Sequence, residues 1–315
     1  MSLKALFSGV AVAVFGLALS PTLAEAKGEK FVLISHAPDS DSWWNTIKNA
    51  IKVAGQQMDV TVDYRNPTTG DLADMARIVD QATASNPNGI IVTIADYDVL
   101  KEPIGRAVKK GIPVITINSG TREQSKQLGA LMHVGQAEYD AGYGAGLRAK
   151  TAGATNFLCV NHYITNPASV ERCRGFAEAL GQKLSDQMLD SGIDPTEVQT
   201  KVTAYLRAKP NTNAILTLGP NSAEPTIAAL DQMKMAGKVT FGTFDLSGKI
   251  SEAIKSGTIA FAVDQQPFLQ GYLPVVLLTN LARYGVMPSN DISSGPGFVT
   301  KDNIALVEKL AGEYR

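Results

Sequence analysis

The chain has 315 residues, 44% of them hydrophobic, and its 29 basic and 30 acidic side chains leave a net charge of −1. So balanced a chain has no basic excess to attract nucleic acid or an anionic membrane surface, and we expect neither partner. The length is greater than one hydrophobic core usually serves, which predicts two lobes.

Residues 1–26 are predicted to be a cleaved export signal. Lys4 precedes an apolar run from Ala5 to Leu19, and Ala24-Glu25-Ala26 is a small-x-small cleavage pattern. The apolar run is short for a membrane span. We therefore expect an exported protein whose mature chain begins near Lys27, with an uncleaved N-terminal anchor as the alternative.

Apolar runs alternate with helical patterns along most of the chain, which is typical of parallel sheets covered by helices. The predicted strands are Phe31–Ile34, Val60–Tyr64, Gly89–Ile94, Pro113–Asn118, Leu131–Val134, Asn156–Val160, Ala214–Leu218, Val239–Phe244 and Ile259–Val263. They form two groups that divide near Gly135. The pattern predicts an α/β fold with two sheets.

The loop from Ser35 to Asn45 follows the first predicted strand and precedes a helical pattern. It carries Asp41 and both tryptophans of the chain, Trp43 and Trp44. Open α/β sheets bind ligands at the carboxyl ends of their strands, and indole faces together with carboxylates suit a sugar. The alternative is that the tryptophans belong to a core and that His36 is an exposed loop residue.

Cys159 and Cys173 are the only cysteines. They fall on a predicted strand and on the helix that follows it, and export would bring them into an oxidising compartment. A disulfide is permitted, with two buried thiols as the alternative. Their spacing is not that of metal ligands, and His36, His133 and His162 lack the spacing of a metal-binding helix. We expect no metal and no cofactor.

Five segments spread over the chain carry a family resemblance. They are Phe31–Trp44, Gly111–Ser119, Glu171–Phe176, Phe244-Asp245 and Asp264–Pro267. In this order and spacing they resemble the periplasmic sugar-binding proteins of the ribose/galactose-binding type, the receptors of ABC importers. The resemblance implies two Rossmann-like lobes joined by three crossovers, with the ligand cleft between them. We assign residues 27–135 and 266–295 to the N-terminal lobe, and 136–265 and 296–315 to the C-terminal lobe.

The resemblance, together with the position of His36 beside the first strand, predicts a set of ligand-binding residues. They are His36, Asp41, Trp43, Trp44, Asn118, Ser119, Arg172, Asn221, Asp245 and Gln265. Where ribose receptors commonly have Asp followed by Arg, this chain has Asn118 and Ser119, so ribose itself is an unsafe assignment. Ser222 is an alternative to Asn221, and we expect a contact from at least one of Asn161, His162 and Asn166.

The resemblance implies a monomeric protein without catalytic residues that captures a monosaccharide or polyol and delivers it to the membrane permease of an ABC importer. A chemotaxis or signalling receptor would use the same cleft. An exported sugar hydrolase could use Asp41 and Asp245, but the sequence gives no reason for either pKa to be raised. A dinucleotide site is not expected, because Gly142, Gly144 and Gly146 fall within an apparent helix, where close helix packing explains them.

Overall fold

The structure, a computed structural model, describes residues 28–315, so the predicted export signal and its cleavage site lie outside the described part. The strands are β1 (Lys30–Ile34), β2 (Thr61–Arg65), β3 (Gly89–Val92), β4 (Val114–Ile117), β5 (Met132–Gly135), β6 (Phe157–Asn161), β7 (Met188–Asp190), β8 (Ala214–Thr217), β9 (Thr240–Phe244), β10 (Phe261–Asp264), β11 (Ile292–Ser293) and β12 (Gly297–Val299).

Helices connect these strands. They are α1 (Trp44–Met58), α2 (Leu72–Ala84), α3 (Tyr97–Lys109), α4 (Arg122–Gln127), α5 (Glu138–Thr151), α6 (Pro167–Ala179), α7 (Pro195–Ala208), α8 (Pro220–Gln232), α9 (Gly248–Ser256) and α10 (Pro267–Tyr284). Two 3₁₀ turns, Ile304–Leu306 and Glu308–Leu310, follow β12. None of the helices within residues 28–315 combines the length and the apolarity needed to cross a membrane.

The strands form two separate six-stranded sheets. The first has the order β11-β5-β4-β3-β1-β2 and the second the order β12-β10-β9-β8-β6-β7. Neighbouring strands are parallel except β10 and β12, which pair antiparallel. We call each sheet with its helices a lobe, so the α/β fold with two lobes that the sequence predicts is confirmed.

The chain passes between the lobes three times: from β5 to α5, from β10 to α10 and from β11 to β12. The last passage is the Ser293–Gly297 segment. The strand predictions agree with the structure to within two residues, but β7, β11 and β12 were not predicted. These strands have only two or three residues each and are largely half-buried, so they lack a run of apolar residues long enough to be recognised.

Each sheet is covered on both faces. In β1, Phe31 and Leu33 pack into one apolar cluster while Val32 and Ile34 pack into another, because successive side chains of a strand point to opposite faces. This explains why the strand is an unbroken apolar run rather than an alternating one. The covered faces leave the strand ends and the loops after them as the places where polar side chains can gather.

Two contacts fix the start of the second lobe. Helices α5 and α6 approach so closely that a Cβ on Gly142 would overlap the carbonyl group of Arg172, and one on Gly175 would overlap that of Tyr139. A disulfide joins Cys159 of β6 to Cys173 of α6, with Cα atoms 5.8 Å apart, which excludes the alternative of two free thiols. Together they hold α6, which carries Arg172, against both α5 and the sheet.

Candidate ligand-binding site

A cavity lies between the lobes, where the carboxyl ends of strands from both sheets face each other. The structure brings all ten residues predicted to bind the ligand to its wall. The remaining lining residues are His162, Tyr163, Asn166, Ala168, Ser169, Leu218, Gly219 and Pro220.

Aromatic side chains form one part of the wall. Trp43 and Trp44 stand edge to face with ring centroids 5.0 Å apart, and His36 lies edge-on to Trp44 at 5.5 Å. Tyr163 reaches this group from the other lobe, with its ring 5.3 Å from that of His36. Trp44 is also part of the first lobe's core and is only 2% exposed, so the core alternative and the cavity prediction both hold for it.

Asp41 orders the loop that precedes α1. One of its carboxylate oxygens accepts a hydrogen bond from the backbone N–H of Trp43 at 3.2 Å, and the other accepts one from the Tyr163 hydroxyl at 3.5 Å. Burial raises the pKa of Asp41, and the bonds from Trp43, Asn221 and Tyr163 offset part of that rise. Asp41 therefore contacts both lobes.

Asp245, directly after β9, is 4% exposed. Its Oδ2 accepts a hydrogen bond from Gln265 Nε2 at 2.9 Å, whereas Oδ1 has no partner among residues 28–315. Burial raises the pKa of this carboxyl to about 7, although Arg172, Gln265 and Trp43 act in the opposite direction. The indole Nε1 of Trp43 is close enough to this carboxyl to lower its pKa, but it makes no hydrogen bond of good geometry within the described chain. A buried donor and a buried acceptor that lie near each other at one cavity without a well-formed hydrogen bond are groups that a ligand hydroxyl would satisfy.

Arg172 projects from α6 and is held by groups of the same lobe. Its Nε and Nη2 donate to the two carboxylate oxygens of Glu138 at 2.6 and 2.9 Å, and Nη1 donates to the backbone oxygen of Leu218 at 3.1 Å. The guanidinium lies over the ring of Phe244, 4.4 Å from its centroid. Both partners of the ion pair are buried, with side chains 7% exposed. The arginine is thus fixed in one orientation at the cavity wall.

A chain of buried amides runs from the cavity to the crossovers. Asn118 Nδ2 donates to the side-chain oxygens of Gln265 and Gln270, each at 3.2 Å, and Gln270 Nε2 donates to Ser294 at 2.9 Å. The hydroxyl of Ser119 donates to Asn118 Oδ1 at 2.9 Å. Asn118 and Asp245 both have a left-handed backbone, which turns the chain sharply at the strand end. Two cavity residues, Asn118 and Gln265, are therefore positioned by the crossover segments themselves.

The histidines near the cavity are uncharged at neutral pH. Burial lowers the pKa of His36 to about 4 and that of His162 to about 3. His36 Nδ1 lies 3.1 Å from the Thr93 hydroxyl and His162 Nδ1 lies 3.2 Å from that of Ser222. His36 is buried and lines the cavity, which excludes the alternative of an exposed loop histidine. Within residues 28–315, no group of three or more His, Cys, Asp or Glu side chains is placed to hold a metal ion.

The periplasmic binding protein domain family matches residues 31–285, which is most of the chain. The chain belongs to this family.

Relatives and solved structures support the family assignment of this periplasmic binding protein. It is 31% identical to a carbohydrate transporter from Acidothermus cellulolyticus whose structure was solved in complex with myo-inositol; the likeness covers 91% of this chain and 99% of that one, with a TM-score of 0.85. It is 23% identical to the xylose/arabinose-binding protein XylF of Sulfolobus acidocaldarius, over 87% of this chain and 72% of the relative. It is also 23% identical to the ribose import binding protein RbsB of Haemophilus influenzae, over 87% and 92%.

Two residues of the binding protein's site were missed from the sequence. Tyr163 follows β6 as the tryptophans follow β1, and an aromatic residue directly after a predicted strand was a usable signal. Glu138 had no such signal, because its pairing with Arg172 depends on how α5 lies against α6. Ser222 bonds to the backbone N–H of Leu218 and to His162 and does not line the cavity, so the alternative to Asn221 is wrong.

The electrostatic expectation about the two carboxyl groups needs correction. From the sequence no raised pKa was expected at Asp41 or Asp245, yet the pKa of each is raised because each is buried. Both pKa values are raised because the folded chain removes these carboxyl groups from water, and the sequence alone does not show which carboxyl groups become buried.

Proposed function

We propose that this periplasmic binding protein captures a monosaccharide or a related polyol in the cavity between its lobes and delivers it to the membrane permease of an ABC importer. The unpaired Trp43 Nε1 and Asp245 Oδ1 carry this proposal. One is a donor and the other an acceptor, and a hydroxyl group can serve both. The indole faces beside them suit the C–H faces of a sugar or cyclitol ring.

The comparisons support this ligand class. The 31% identical structure holds myo-inositol, and the two relatives are described as xylose/arabinose-binding and ribose import binding proteins. The two relatives are binding proteins by name and the solved structure is described as a carbohydrate transporter, which supports a ligand that is released unchanged. Ligand contacts from both lobes would favour the closed arrangement, since a ligand shifts a conformational equilibrium by its difference in affinity for the two states. We propose that the permease recognises that closed arrangement.

The test is a titration followed by intrinsic fluorescence. Both tryptophans of the chain lie at the cavity, so the signal reports on this site alone. We would titrate the mature protein, freed of ligand by unfolding and refolding, with myo-inositol, D-ribose, D-xylose, L-arabinose, D-allose and D-fucose. We expect a saturable change for a small group of stereoisomers. The same compounds should raise the melting temperature, because a ligand that binds the folded state stabilises it.

Above pH 7, where the Asp245 carboxyl is ionised, Asp245→Ala should weaken binding by roughly thirtyfold, as expected for the loss of a hydrogen bond to a charged group. Asp80→Asn is the matched control, because Asp80 forms an exposed ion pair with Arg106 away from the cavity. It should bind like the wild type. No fluorescence or melting response to any carbohydrate or polyol would refute the proposed ligand class.

An experiment in cells distinguishes a transport role from a signalling role. Deletion of the gene should abolish uptake of the radiolabelled ligand if the protein serves an importer. Normal uptake with loss of a behavioural or transcriptional response to the same compound would favour the sensory alternative instead.

A further inference from the structure

Arg172 is the single lysine or arginine among the residues that line the cavity within the described chain. A cationic side chain at a sugar site could bind an acidic ligand such as a uronate, because guanidinium groups pair readily with carboxylates. Whether Arg172 is available to pair with a ligand carboxylate depends on which groups of the protein already compensate its charge.

Glu138 supplies the compensating negative charge. Both carboxylate oxygens of Glu138 accept from the guanidinium, at 2.6 and 2.9 Å, in a bidentate pair that is almost entirely buried. Gln136 Nε2 donates to the same carboxylate at 2.8 Å and keeps it in place. With the bond to the Leu218 carbonyl, three of the five guanidinium N–H bonds are used within the protein. Arg172 can still donate to a ligand, but it brings no net charge.

The other ionisable groups at the cavity wall further disfavour the binding of an anionic ligand. Asp41 and Asp245 are both buried carboxyl groups, and His36 and His162 are neutral because burial lowers the pKa of each. Asn118 and Ser119 add no charge. A ligand carboxylate would leave water for a region of low dielectric with no uncompensated positive charge to meet it.

We propose that Glu138, by neutralising Arg172, makes the cavity select uncharged sugars and polyols and reject their acidic derivatives. Glu138 is a specificity-determining residue that acts through Arg172 and does not line the cavity itself. The inference rests on the proposed function, and it names the charge class of ligand that the site takes.

The experiment compares neutral and acidic ligands on matched variants. We would measure the affinity of the wild type for the tightest neutral compound of the panel above, and the competition against it by D-glucuronate and D-galacturonate. The wild type should bind the uronates on the order of 100-fold or more weakly. Glu138→Gln leaves the charge of Arg172 uncompensated. The ratio of the uronate Kd to the neutral-compound Kd should therefore fall by about tenfold or more, through tighter uronate binding.

Two further variants separate charge from shape and guard against misfolding. The double variant Glu138→Gln/Arg172→Gln has no charge at the pair and should retain the wild-type preference for the neutral compound, whatever its affinity. Arg172→Gln alone leaves Glu138 unpaired and should widen the ratio. Circular dichroism and melting temperature would establish that each variant is folded.

The outcomes are distinct. Binding of neutral compounds with a ratio that does not change in any folded variant would overturn the role of Glu138 and leave the proposed function intact. Uronates bound by the wild type as tightly as neutral compounds would do the same. Failure of every carbohydrate to bind would instead overturn the proposed function.

Discussion

At the scale of single residues, the cavity is defined by polar atoms that the protein does not use. Buried polar atoms are nearly always hydrogen-bonded in folded proteins, so Trp43 Nε1 and Asp245 Oδ1, neither of which has a well-formed hydrogen bond within the described residues, favour a ligand hydroxyl as partner. Neighbouring donors such as Gln265 are already engaged. These two atoms therefore indicate a hydroxyl-bearing ligand more directly than the composition of the cavity wall does.

The raised pKa of Asp245 predicts a pH-dependent stability. Its folded pKa of about 7 lies above the ordinary value of 3.8, so the folded protein holds this proton more tightly than the unfolded chain. The contribution is complete below about pH 4 and is lost as the pH rises through about 7. The unfolding free energy of the ligand-free wild type, minus that of Asp245→Asn, should fall by as much as about 4 kcal/mol between pH 4 and pH 8.

Urea unfolding at several pH values measures this difference. Subtracting the variant removes the titration of the three buried histidines, whose lowered pKa values have the opposite effect and destabilise the fold as the pH falls below 6.5. Arg172 and Asp264 are the charged groups that shift the pKa of Asp245, and both are unchanged in the variant. A difference that stays constant with pH would show that Asp245 ionises normally.

At the scale of elements, the orientation of Arg172 depends on the contact between α5 and α6. Glycines permit this contact, because a Cβ at Gly142, Gly146 or Gly175 would meet backbone of the facing helix. The same close approach brings Glu138, at the start of α5, within bonding distance of Arg172. The glycines of α5 that superficially suggest a nucleotide-binding loop are thus explained by helix packing.

Gly142→Ala should destabilise the fold by about 2 kcal/mol or more and weaken ligand binding, because α6 must move away from α5 and take Arg172 with it. The matched control is Gly105→Ala in α3, where an added Cβ would meet no atom within 4 Å. There the alanine should stabilise the helix by up to about 1 kcal/mol and leave affinity unchanged. Thermal unfolding and ligand titration of both variants test this, and equal effects of the two substitutions would refute the packing role.

At the scale of the whole molecule, side chains from the two lobes contact each other around the cavity. Asn166 Nδ2, from the second lobe, donates to the hydroxyl of Ser119 in the first at 2.8 Å. Tyr163 bonds to Asp41 across the same gap. These bonds stabilise the closed arrangement independently of ligand, so they help to set the equilibrium on which a ligand acts.

Asn166→Ser should shift the ligand-free protein toward an open arrangement. Serine retains an oxygen that can cap α6, as Asn166 does through the N–H of Ala168, but it is too short to reach Ser119. Loss of one such bond, worth about 1 kcal/mol, should change the closed-to-open ratio about fivefold. Small-angle X-ray scattering of the ligand-free variant should show a larger radius of gyration. Asp194→Ser, which alters the cap of α7 in the same lobe, should leave the radius unchanged; equal radii for Asn166→Ser and wild type would contradict the prediction.

The sequence by itself determined the two-sheet α/β fold, which follows from local patterns, whereas the set of ten cavity residues followed mainly from the resemblance to sugar-binding proteins. An apolar run marks a strand buried on both faces, and the residues directly after it lie at the sheet edge where parallel strands end. Asn118 and Asp245 could be placed in this way before any contact was known, whereas the resemblance was needed for Arg172.

Only the tertiary structure decided which of these residues are free to meet a ligand. The neutralisation of Arg172 by Glu138, the raised pKa of Asp245 and the bond from Asn166 to Ser119 each join or bury groups that are far apart in the sequence or carried by different elements. Such pairings depend on how helices and lobes pack against one another. Burial and proximity then set charge and hydrogen bonding, and neither is encoded in the order of neighbouring residues.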